Sequence, residues 1–115
     1  VAILIPIFTG QLRKVKVETD QANARAGKAA AVTAALDTQS EGELTYYYDA
    51  SKGVAVDAKA NGVKKPSAYG KTSDATAADK IEGVTEDTKQ DLTDKIVQIK
   101  IGTDSAVTVS WVSAK

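Results

Sequence analysis

The pattern of apolar and polar positions divides the chain into three stretches. The first runs from Val1 to Leu36. It opens on the apolar segment Val1-Ala-Ile-Leu-Ile-Pro-Ile-Phe8, passes the basic cluster Arg13, Lys14 and Lys16, and becomes alanine-rich from Ala22. At steps of four and three, one stripe passes through Val1, Ile5, Phe8, Leu12, Val15, Thr19, Ala22, Ala26, Ala29, Thr33 and Leu36. That spacing is the seam of a helix that packs lengthwise on other helices. It predicts a helix from about Ile7 to Leu36, roughly 45 Å long. Eight alanines between positions 22 and 35 spread around the cylinder, which predicts burial on more than one side. Gly27 costs helix propensity there, and a close neighbour would account for it. Glu18 and Asp20 read as a solvated face, or as partners for basic residues on a neighbouring copy.

The helix is expected to end near Asp37, where Asp37-Thr-Gln-Ser-Glu-Gly42 gathers turn residues. Beyond it lie Tyr46, Tyr47 and Tyr48, which cannot all face one way. Two readings stay open for them: a seal between helix and head, or an aromatic binding platform. Val54 to Ala58 alternates as a short strand. Tyr69 to Asp79 reads as surface loop, with one helical turn near Asp74–Lys80. Ile81–Val84 reads as a short strand, and Leu92 is the anchor of the polar run 85–94.

The chain closes on Ile96–Ile101 and Val107–Val112 around Gly102-Thr-Asp-Ser-Ala106, an antiparallel hairpin. One register pairs Val97 with Trp111, Ile99 with Val109 and Ile101 with Val107. It puts these six apolar side chains on one face and Gln98, Lys100, Thr108 and Ser110 on the other, and a buried face enforces that choice. The expected head core is therefore Val97, Ile99, Ile101, Val107, Val109 and Trp111, set against the alanine-rich helix. The fold class is α+β, a long N-terminal helix packed along a small antiparallel sheet. The chain divides into a spine helix, 1–38, and a head, 39–115, with the hairpin at 96–112.

Composition narrows the function. At 115 residues the chain is one domain, and its 15 basic and 15 acidic residues cancel. A nucleic-acid binder would carry a basic excess, whereas near neutrality little charge repulsion keeps copies apart. The chain has no Cys and no His. That removes thiol chemistry, the commonest general base and the commonest transition-metal ligand. No nucleophile-elbow or phosphate-loop motif is present either, so the reading is not an enzyme, with no cofactor and no metal. Asp87, Asp91 and Asp94 are the acidic residues nearest to a calcium set, and their spacing is not that of an EF-hand loop.

The opening run is too short to cross a bilayer, which takes about 20 residues. It reads either as a buried first turn or as the end of a longer apolar segment that precedes Val1. The abrupt start favours the second. Pro6 fits both, near the start of a soluble helix or as a kink in a membrane-derived one.

This apolar run with its Pro6, followed by a basic amphipathic stretch and an alanine-rich segment, resembles the N-terminal helix of type IV pilins and type II secretion pseudopilins. The closing Val107-Thr-Val-Ser-Trp111 is similar to the head of Gram-positive members. The absence of the cysteine pair found in many Gram-negative pilins points the same way. The family's leader ending in Gly, its cleavage site and its early Glu would fall before Val1. The resemblance implies a structural subunit, held in the membrane through the preceding segment before assembly. It then polymerises with identical copies into an extracellular helical filament at the cell surface. The implied filament interface is Val1, Ile3, Leu4, Ile5, Pro6, Ile7, Phe8, Leu12 and Val15. A pseudopilin of a secretion or competence system and a soluble coiled-coil interaction module are the alternatives.

Overall fold

A computed structural model describes residues 9–37, 42–59, 63–104 and 106–114. The filament-interface candidates Val1 to Phe8 lie outside them. Helix α1 spans Thr9–Asp37 and ends where the turn residues begin. Strands β1 (Leu44–Asp49), β2 (Val54–Asp57), β3 (Lys95–Ile101) and β4 (Val107–Ser113) form an antiparallel sheet in the order β2-β1-β3-β4, and α2 is one turn, Ala75–Ala78. The molecule is α+β, with the long helix packed on the sheet.

The terminal hairpin takes the register its apolar pattern demands: Val97 opposite Trp111, Ile99 opposite Val109, Ile101 opposite Val107. Val97, Ile99, Val109 and Trp111 are buried, while Ile101 and Val107, next to the turn, are only partly covered. Tyr46 and Tyr48 alternate inward on β1 and are buried. Tyr47, between them, is half-buried with the Lys65 Nζ 5.7 Å from its ring centroid. Ala24 and Ala31 of the helix belong to the same apolar cluster as the sheet residues, so helix and head share one core.

Several expectations are corrected. Asp20 is not on a solvated face; it is fully buried. Its carboxylate accepts hydrogen bonds from the backbone N–H groups of Lys71 and Thr72 at 2.7–3.1 Å. The segment 69–79 is not merely surface loop. Thr72 and Ala78 are buried, Tyr69 packs against the core, and a Cβ on Gly70 would lie 1.9 Å from the Leu92 carbonyl oxygen. The stretch 81–84 forms a turn rather than a strand, with Ile81 buried and Gly83 at φ +93. Leu92 is the expected anchor. The helical turn near Asp74 is present, capped by the Asp74 carboxylate on the Thr76 amide.

Candidate functional site

Helix α1 presents a different face to the sheet from the one its seam suggests. Among the residues whose side chains are described, its buried positions are Asp20, Ala24, Gly27 and Ala31, themselves spaced four, three and four apart. Gly27 decides the fit. A Cβ there would stand 3.0 Å from Tyr48 Cβ and 3.2 Å from Val97 Cγ1, so any larger residue would push Tyr48 or Val97 back by a few tenths of an ångström. One flank of the helix is tied down by polar contacts. Arg25 pairs with Glu82 at 2.9 Å, and Gln21 Oε1 accepts from the Glu82 amide at 3.0 Å.

The seam lies on the far side of the helix, because at 100° per residue its positions oppose Asp20 and Gly27. From Val15 on, every seam position is exposed: Val15 by 56%, Leu36 by 81%, and Thr19, Ala22, Ala26, Ala29 and Thr33 as well. The alanine-rich segment is thus covered on one side within a single chain, not on several. Seam residue Leu12 lies on α1.

Between α1 and the edge strand β2 the seam broadens into an open groove of about 590 Å³. Ala26, Ala30 and Ala34 form part of its helix wall, with Val54 and Ala55 on the strand side; among the described residues no charged side chain lines it. Val54 is 47% exposed at its rim. The sheet's two edges differ. β4 is covered: the Thr85 amide and hydroxyl both donate to the Val109 carbonyl, the Val109 amide donates back to Thr85 Oγ1, and Gln90 Nε2 donates to the Trp111 carbonyl. The sheet ends at β2 on the other side, next to the groove.

Among the described residues there is no group of three acidic residues able to hold a metal ion. Asp87, Asp91 and Asp94 are not brought together as one. Asp91 serves its own turn, and hydrogen bonds from the Thr93 hydroxyl and amide hold its carboxyl below the usual range. No described helix is long and apolar enough to cross a membrane. None of the protein-family models, curated proteins or solved structures compared with this chain matches it.

Proposed function

We infer that the chain is a structural subunit that polymerises through its N-terminal helix into a pilus-like filament at the cell surface. One observation carries the reading. The helix commits one face to its own sheet and leaves the opposite face, a seam of alanines and two threonines between Val15 and Leu36, in solvent. Contiguous apolar surface of that kind marks an interaction site. In sequence, the apolar residues Ile3, Leu4, Ile5, Ile7 and Phe8 precede it. A contact between unlike surfaces of identical copies does not close on itself and propagates as a fibre. A pseudopilin would use the same contacts in a shorter, piston-like fibre.

The test is the double variant Ile5→Asp with Phe8→Asp. Unpaired carboxylates in an apolar bundle would cost several kcal/mol per subunit contact, while the core between α1 and the sheet is untouched. The expected result is ordinary circular dichroism and melting with no fibres by electron microscopy. Fibres of normal length and number would sink the polymer reading and leave a soluble coiled-coil module as the better account.

A further inference from the structure

The two edges of the sheet differ in what covers them. Thr85 and Gln90 cover β4, whereas no described residue is hydrogen-bonded along the outer side of β2. The bonds on its inner side show which backbone groups are left over. The Ala58 amide donates to the Thr45 carbonyl at 2.9 Å, and the same register sets Val56 opposite Tyr47 and Ala55 opposite Tyr48. Antiparallel pairs alternate between bonded and unbonded. Val56 and Ala58 therefore turn their backbone groups toward β1, and Ala55 and Asp57 turn theirs outward. Val54, on the same strand, is 47% exposed. The described helix wall of the neighbouring groove is alanine and threonine, so no long side chain from it reaches across this edge. An uncovered edge of that kind is a template for another strand.

We propose that β2 pairs antiparallel with β2 of a second copy of this chain, about a two-fold axis at Ala55. The segment is self-complementary in this register. Antiparallel strands related by a two-fold keep their faces, so the axis passes through a residue that lies opposite itself. With Ala55 on the axis, the two Ala55 residues exchange both of their outward backbone bonds. Val54 of each copy stands opposite Val56 of the other, on one face of the joined sheet. Asp57 stands opposite Gly53, beside Lys52 of the other copy, and symmetry makes this charge pair twice. Lys52 and Asp57 are both exposed in the single chain. Centring on Val56 instead would leave one Val–Val contact in place of two and move Asp57 opposite Ala55, away from Lys52. The contact is isologous and closes at two copies. It uses a surface other than the seam of α1 and does not rest on the filament reading. A four-residue strand makes a small interface, so the dimer is weak.

Sedimentation of the full chain carrying Ile5→Asp and Phe8→Asp keeps fibre assembly out of the measurement. The expected result is a concentration-dependent dimer below about 1 mM. Ala55→Pro removes the outward N–H and spares the ladder with β1. With two bonds lost by symmetry, it should weaken the dimer about tenfold or more and leave melting near that of the parent. Lys52→Glu, in an exposed turn, should weaken it about fivefold at low salt, and adding Asp57→Lys should recover it. The chain has no cysteine, so introduced thiols report the register whether or not fibres form. Two Ala55→Cys residues would face each other at about 5.5 Å between Cα atoms, within disulfide reach. They should link on oxidation about tenfold faster than Asp57→Cys, whose two copies lie four residues out of register, about 14 Å apart. A chain that stays monomeric, a dimer indifferent to Lys52→Glu, or equal linking at 55 and 57 would overturn the proposal. The filament reading stands or falls separately, on fibres from the unsubstituted chain.

Discussion

The Asp20 carboxylate, buried on the inner face of α1, holds the backbone of a segment about fifty residues away through the amides of Lys71 and Thr72. Asp20→Ala leaves both amides without an acceptor, at about 1–3 kcal/mol for each one that stays buried. Asp20→Asn should cost less, because its one carbonyl oxygen still accepts. Denaturant melts, with hydrogen exchange read at Lys71 and Thr72, would rank the two; equal loss from both would show that the bonds are not the cause. Tyr69 is a second polar group on the core, partly buried, with two partners. Its hydroxyl donates to the Tyr48 carbonyl at 2.6 Å and accepts from the Val97 amide at 2.9 Å. Burial holds this phenol well above its ordinary value of 10.0. The folded state therefore keeps a proton that the unfolded state gives up first. Stability from this group is complete below about pH 10 and falls as pH rises beyond it. Tyr69→Phe should be less stable at neutral pH yet show a shallower decline in alkaline melts, and an unchanged slope would refute the assignment.

At the scale of the elements, the sheet is completed by side chains that imitate strands. β1 and β3 pair from Leu44↔Ile101 to Tyr47↔Gln98. Tyr48 and Val97 are next in register, and there the Tyr69 hydroxyl stands between the two backbones. Thr85 does the same at the outer edge of β4, answering both the amide and the carbonyl of Val109. This covers an edge that would otherwise invite pairing with another chain. Thr85→Val preserves shape and removes the hydroxyl, so the Val109 amide loses its acceptor. The expected loss is about 1–3 kcal/mol, with faster hydrogen exchange at Val109; slow exchange retained there would show that another group protects it. Gly27 belongs to this scale too, since a Cβ there would press on Tyr48 and Val97 where the helix meets the sheet.

For the whole molecule, the fold uses one side of the helix, and the assembly we propose would use the other. The inner face carries the fold, and the outer seam carries nothing in the single chain. Ala22 is an exposed seam residue, so Ala22→Lys should shift stability by less than about 0.5 kcal/mol. Glu18 one turn before it supplies a favourable partner. In a filament the same lysine would face apolar neighbours, and assembly should fall sharply while melting stays unchanged. Unaltered filaments from Ala22→Lys would place the seam outside the interface. A drop in melting would show instead that the seam supports the head.

The hairpin was legible from the residues alone, because strand side chains alternate and a slip of one residue would turn Val97, Ile99 and Trp111 outward. The C-terminal end of α1 was legible too: the alanine-rich run continues past Gly27 to Asp37, and turn residues follow at once. The inward face of the helix was not. Alanine surrounds the cylinder, so hydrophobicity weighs every side of that stretch almost equally, and the large apolar residues at Val15 and Leu36 mark the side that stays outside. The choice was made by shape and by hydrogen bonding across long separations: the space that Gly27 leaves for Tyr48 and Val97, and the two amides that Asp20 accepts from Lys71 and Thr72. The burial of Thr72 and the partial burial of Tyr69 follow from those same contacts. Their surroundings in the chain are polar, and only the docking of residues 69–72 against Asp20 and Leu92 brings them into the core.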